Sequence, residues 1–465
     1  MSKREEIVYP YIPNSAPGVK KQMLEEIGAR SSEELFEDVP ERLRLKGKMN
    51  LPKPFLSESS LARHVEAILA KNKTCKDYLN FRGAGCYQHH VPSICDEVNQ
   101  RGEFLTAYAG EPYDDHGRFQ ALFESASMMG ELLDMDVVNV PTYDGFQAAA
   151  TAIRMAARIT DRREVLLSRS INPDKLSKIE QYCKPELKIK LLRHHPDTGQ
   201  VDLEELRKDI SDGVAAVYLE NPAFLGFIEV QGREIAEIAH DYGVQCVVGV
   251  DPISLGVLTP PAQYGADIVC GDLQPLGMHM SFGGGHAGFI ATWDEDKYVM
   301  EYPSRLFGIA PTRVEGEYGF GDVAYERTSF AVREKGKEWV GTASALWGIT
   351  AGLYLALIGP NGMRELGECI LLHSAYAIKR LAAIPKVKSP AFKGIHFKEF
   401  VVDFSSTGRT VKEINKALLE RGIFGGLDLT HRFSELGNCA LYCITEVHTR
   451  EDIDRLVEAM EDILK

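Results

Sequence analysis

The sequence predicts an α/β chain built on a mainly parallel, doubly wound sheet, with an extended arm before it and a small α+β domain after it. Two observations carry this. From residue 119 to residue 292, short apolar runs alternate with helical patterns, the order of βαβ units whose helices must cover the sheet faces. Within that region Val244–Val250 is a short apolar run broken only by Gln245, as expected of a strand buried on both faces. It ends on Asp251, at the carboxyl edge where open α/β sheets place their ligands.

The bulk numbers narrow the function classes. With 465 residues, 44% hydrophobic, the chain can bury a large core in two or three domains. We divide it at 1–60 for the arm, 61–345 for the large domain and 346–465 for the small one. A net charge of −14 argues against nucleic-acid binding, which leaves a basic footprint. No apolar run approaches the roughly 18 residues of a membrane span, and the N-terminus lacks the apolar core of a signal peptide. The nine cysteines contain no CxxC pair and sit mostly among apolar neighbours. A soluble cytoplasmic protein with no metal site is expected.

Along the arm, Pro10 and Pro13 push their predecessors into extended geometry. A short helix begins at Ser15 or Pro17 and runs through Ile27, and Ser31–Phe36 resembles a capped helix start. Such an arm buries little alone and is expected to wrap a neighbouring subunit. Residues 57–71 are helical in pattern, with Ser57 or Ser59 as cap and Leu61, Val65, Ile68 and Leu69 on one face.

The stretch Arg82–Pro92, RGAGCYQHHVP, carries His89 and His90. Adjacent histidines on extended chain point to opposite faces, so they make a poor chelating pair and read better as part of an interface or active-site loop. Residues 101–118 hold Tyr108, Tyr113 and His116 in a polar, aromatic loop that is either surface or substrate-facing. Phe119–Leu133 is an amphipathic helix. Thr142-Tyr143-Asp144-Gly145 precedes the Ala-rich helix 147–158, and Asp144 suits its N-cap.

Strands at 164–168, 187–192 and 215–219 then alternate with helices at 173–182, 203–210 and 231–242, before the strands 244–250, 267–271 and 287–292. Residues 300–348 look irregular, with Arg327, Arg333, Lys335 and Lys337 read as a solvated charge run ahead of an anion site. Helices span 347–381, interrupted at Gly359-Pro360-Asn361-Gly362. Strand 397–404, helix 411–421, strand 440–444 and helix 450–464 complete the small domain.

An acid at the end of a buried strand, a second strand and then a Gly-rich loop is the local layout of the pyridoxal-phosphate (PLP) enzymes of fold type I. In that fold the carboxylate pairs with the ring nitrogen, and a lysine ending the next strand holds the cofactor as a Schiff base. Here no lysine occurs between Lys208 and Lys297, and Pro275 stands at about the expected place. The carboxylate of Asp144 would repel a phosphate at the helix start, and Asn172 cannot stack on the ring as an aromatic or His would. Tyr143, Asp144, Gly145, Asp251 and Gln274 are therefore expected to be the remnant of a cofactor site.

The segments Ile27–Pro40, Arg82–Pro92, Met135–Gly145, Leu258–Gly271, Gln274–Phe289 and Glu435–Met460 make the chain resemble, over nearly its whole length, the P-protein family of the glycine cleavage system. The likeness is to the first subunit of the two-subunit form. The resemblance implies that a second subunit carries the lysine and PLP, which is not covalently bound here, and that the two form an α2β2 assembly. It implies decarboxylation of glycine with transfer of the aminomethyl group to the lipoyl arm of H-protein, whose disulfide is opened. His89, His90, Tyr108, Tyr113 and His116 are then candidates for the active-site wall or interface, and this chain alone is expected to be inactive. The family's usual phrases are altered at 109–117 and after Arg333-Glu334-Lys335. The alternative is a diverged paralogue acting as a structural or regulatory subunit, or serving another amino acid.

Overall fold

The structure is a computed structural model that describes residues 8–104, 118–284, 286–303, 305–338 and 344–465. Tyr108, Tyr113 and His116 lie outside the described residues. The chain divides into two contact units, Met1–Lys73 and Thr74–Lys465.

The first unit holds α1 (Pro17–Glu26) and α2 (Glu58–Leu69). The Ser57 hydroxyl accepts from the Ser60 amide and caps α2, as its spacing suggests. None of the described residues of this unit is buried, and Leu61, Val65, Ile68 and Leu69 stay exposed. The capped α-helix start read at Ser31–Phe36 is instead a single 3-10 turn, Ser32–Phe36, without a side-chain cap. Glu34 turns back to accept from the Arg30 amide.

The second unit opens with β1 (Leu79–Asn80), α3 (Ser93–Asn99), α4 (Phe119–Leu133), β2 (Val137–Val138) and α5 (Gly145–Thr160). Then come β3 (Glu164–Ser168), α6 (Pro173–Cys183), β4 (Lys188–Leu192), α7 (Leu203–Asp209), β5 (Val214–Glu220), α8 (Gly232–Asp241), β6 (Gln245–Val250), β7 (Ile268–Asp272) and β8 (Gly288–Thr292). These build a seven-stranded sheet in the order β2-β8-β7-β6-β5-β3-β4. All neighbours pair in parallel except β8 with β7 and β2 with β8. The mainly parallel, doubly wound prediction holds. Both faces of β6 are covered: Cys246, Val248 and Val250 enter one apolar cluster and Val247 the other. That two-sided burial is why the strand reads as an apolar run from Cys246 to Val250.

After α9 (Asp296–Val299) the chain departs from expectation. Residues 306–323 are not irregular but form an antiparallel ribbon of β9 (Leu306–Pro311) and β10 (Tyr318–Val323). Glycines at 308, 319 and 321 interrupt the period-2 apolar pattern that would have announced it. Nor is the basic run there simply solvated. Arg327 is buried and donates to the Tyr302 carbonyl at 2.9 Å, and Lys337 pairs with Glu301.

Past α10 (Ser329–Val332), α11 (Ala345–Ala382) comprises two helices across a kink at Gly359, whose φ of 63° leaves the helical region just before Pro360. The remaining elements are β11 (Glu399–Asp403), α12 (Val411–Glu420), β12 (Ile423–Phe424), β13 (Leu427–Asp428), β14 (Cys439–Cys443) and α13 (Arg450–Leu464). They form a three-stranded antiparallel sheet, β11-β14-β13, with its own apolar cluster. Capping boxes at Thr410/Glu413 and Thr449/Asp452 start α12 and α13. β1 pairs in parallel with β12, drawing Leu79–Phe81 onto this layer.

Candidate functional site

Asp251 follows β6, and β6 lies between β5 and β7, so its carboxylate stands at the carboxyl edge of the central parallel strands. The crevice there is also lined by Gly145 from the start of α5, Lys175 from α6, Glu220 from β5, Asp272 at the end of β7, Pro275 beyond it, and Lys398 and Glu399 at the start of β11. Two layers of the fold thus meet at one site, each bringing charge.

Every one of these charges is answered from within the chain. Lys398, 1% exposed, ion-pairs with Asp251 and lies 2.9 Å from His89 Nε2 and 4.0 Å from the centre of the Tyr87 ring. An ammonium has only hydrogens to offer, so His89 Nε2 accepts and the ring is neutral. Its Nδ1–H then donates to Glu446 Oε2 at 2.7 Å. Burial, and then the nearby Lys398 charge, hold His89 below the usual histidine range. Burial opposes ionisation of Glu446, but His89 and the His90 amide outweigh it and bring that carboxyl down to about 2.

The other pairs follow the same logic. Glu399 accepts from the Ala84 amide at 2.6 Å and the Tyr87 hydroxyl at 2.9 Å, yet burial pushes its pKa up to about 7. Lys175 pairs with Glu220, which also accepts from the Tyr218 hydroxyl at 3.1 Å. Burial disfavours the Lys175 charge, but the adjoining carboxylate prevails and the ammonium is held above its ordinary value.

Asp272 bridges two elements. Its Oδ2 accepts the first amide of α5, from Gly145, at 3.0 Å, and its Oδ1 accepts the Gln274 amide at 2.8 Å. The approach is so close that a Cβ on Gly145 would lie 2.8 Å from the Asp272 Cβ.

The residues singled out from the sequence separate clearly. Gly145, Asn172, Asp251 and Pro275 line the crevice. Asp144 is the N-cap of α5, accepting from the Gln147 amide at 2.6 Å, and Tyr143 beside it is exposed. Gln274 is buried and clamps the backbone of Tyr87, accepting its N–H at 3.0 Å and donating to its carbonyl at 2.8 Å. Asn172 caps α6 and donates to the Ala84 carbonyl. His89 points inward and His90 outward, as extended geometry dictates. Among the described residues, no group of three or more His, Cys, Asp or Glu is placed to hold a metal.

Sequence reasoning missed Lys398, Glu399, Glu446, Lys175 and Asp272. The first three sit in the C-terminal layer, and no local pattern ties them to a site formed around β6.

A sequence profile described as "Glycine cleavage system P-protein" matches residues 10–460. The chain belongs to that family. It is 40% identical to a protein named "Probable glycine dehydrogenase (decarboxylating) subunit 1" of Staphylothermus marinus, over 98% of both chains. It is 38% identical to the protein of the same name in Thermococcus onnurineus, over 97% of this chain and 99% of that one. A solved glycine decarboxylase (P-protein) of the glycine cleavage system, in inhibitor-bound form, superposes with a TM-score of 0.83 at 33% identity, covering 98% of this chain and all of that one. The sphingosine-1-phosphate lyase of Burkholderia pseudomallei, at 13% identity and a TM-score of 0.64, shares the fold alone.

The P-protein crevice of this chain does not fit PLP. Asp251 is already paired with Lys398, Asp272 already occupies the first amide of α5, and the residue after Gln274 is proline. No helix among the described residues is long and apolar enough to cross a membrane.

Proposed function

We propose that this chain is the lysine-lacking subunit of a glycine decarboxylase, working with a second, lysine-bearing subunit that holds PLP. The observation that carries the reading is Pro275 in the turn after β7, in a crevice whose two lysines are each paired with an acid, Lys175 with Glu220 and Lys398 with Asp251. In the partner, PLP supplies the electron sink for loss of CO2 from glycine. The aminomethyl group would then pass to the lipoyl arm of H-protein, and the expected assembly is α2β2 in the cytoplasm.

The contribution of this chain is a wall, and Arg82–Pro92 is the part best built for it. Its backbone is anchored along its length: Ala84 N–H on Glu399, Tyr87 on Gln274, the Gln88 carbonyl on the Thr445 hydroxyl at 2.7 Å, and His90 N–H on Glu446 at 2.6 Å. A segment so held presents the exposed His90 ring in one place, which is what positioning a substrate held by a partner requires. Tyr108, Tyr113 and His116 belong to the same proposed wall by sequence alone.

Mixing tests the reading. The isolated chain, incubated with PLP and then freed of it by gel filtration, should retain no visible band of lysine-bound cofactor. The mixture with a lysine-bearing homologue should show one that glycine perturbs, and the two should elute together. A band in the isolated chain, or no association, overturns it.

A further inference from the structure

The missing lysine is not the only thing that keeps PLP out of this crevice. We propose that two of the chain's own side chains take the places of the cofactor's two charged ends. The Asp272 carboxylate stands in for the phosphate at the α5 N-terminus, and the Lys398 ammonium stands in for the pyridinium N–H on Asp251.

At the first end, the N-terminus of a 16-residue helix is a natural seat for an anion, because its first amides point outward and its dipole favours negative charge. Here that seat is taken. Asp272 Oδ2 accepts from Gly145 N–H at 3.0 Å, while Asp144 Oδ1 accepts from Gln147 N–H at 2.6 Å. A phosphate dianion would have to displace one carboxylate and sit beside the other.

At the second end, Asp251 Oδ1 accepts from the Ile253 amide at 3.0 Å and Oδ2 is paired with Lys398. Lys398 is committed three ways, to Asp251, to His89 Nε2 and to the face of Tyr87. Its backbone is left-handed, with φ of 63°, a conformation a lysine keeps only where its surroundings impose it. A protonated ring nitrogen arriving at Asp251 would meet an ammonium already in place. The crevice is thus a neutralised strut that also supports the His89–His90 segment.

This inference rests on the reading that PLP belongs to the partner, and its test uses the isolated full-length chain, so the two fail separately. Pyridoxine phosphate, which lacks the aldehyde and so ignores surface lysines, is the probe, followed by equilibrium dialysis. Wild type and Pro275→Lys should not bind it above background. Asp272→Asn, which keeps an oxygen for the Gly145 amide but removes the charge, should retain the probe at roughly tenfold or more above the wild-type background. Asp272→Ser serves as a second variant of the same kind. Lys398→Gln should gain binding of pyridoxine itself, which has the ring nitrogen and no phosphate. Binding by wild type, or by Pro275→Lys alone, overturns the proposal. So does a set of variants that melt like wild type and gain nothing.

Discussion

Lys398 Nζ lies 2.9 Å from Nε2 of His89 and ion-pairs on its other side with Asp251, so one buried lysine ties the sheet edge to the Arg82–Pro92 segment. Removing it leaves the Asp251 carboxylate uncompensated. Lys398→Met should therefore cost about 3–5 kcal/mol, the range for breaking a buried pair from one side. Adding Asp251→Asn should return a large part of the loss. Urea unfolding of the two single variants and the double one measures the coupling; additive losses would show that the pair is not a unit.

Glu399 gives the fold a pH dependence. Its folded pKa of about 7 lies above the 4.5 of a free glutamate, so the folded state binds a proton that the unfolded chain gives up. That contribution is complete below pH 4.5 and is lost as pH rises through 7. Glu399→Gln does not titrate and can still accept from the Ala84 amide. Relative to wild type it should gain stability between pH 5 and pH 8, by up to about 3 kcal/mol at 1.36 kcal/mol per pKa unit. Thermal melts of both proteins across that range would detect it.

Gly145 is where helix and sheet touch. A Cβ there would stand 2.8 Å from the Asp272 Cβ and 2.9 Å from its backbone nitrogen, and neither can swing aside as a side-chain tip would. Gly145→Ala should destabilise by roughly 1–3 kcal/mol or more through forced backbone shifts. A guanidinium midpoint unchanged from wild type would show that α5 can back away from β7.

His90 is exposed, and its backbone hold on Glu446 does not use the ring. His90→Ala should leave the melting temperature within experimental error. In the two-subunit enzyme it should lower turnover by roughly 10–100-fold, the scale of a lost positioning contact. Unchanged turnover would take the Arg82–Pro92 segment away from the active site.

What the sequence reveals follows from the range of the forces involved. The strand ending on Asp251 is readable because burial on both faces leaves a run of apolar residues, and Asp144 is readable because a helix cap is a local device. The partner of Asp251 is not readable: Lys398 lies 147 residues away on another layer, and only the packing of the two sheets brings them together. Gln274 is locatable by its place after β7, but its role as a backbone clamp on Tyr87 is a tertiary fact. The β9–β10 ribbon escapes because its glycines carry no side chains to set a period. Pro275 is legible because the absence of a lysine from that stretch is a matter of residue identity and needs no tertiary structure.

On the proposed function, catalysis needs this chain and a lysine-bearing partner together. Exchange of labelled CO2 into the carboxyl group of glycine, with H-protein present, tests it most directly across three samples: this chain, the partner, and the mixture. Exchange in the mixture should be far above that of either chain alone. Exchange by this chain alone, or a mixture no faster than the partner by itself, would contradict it.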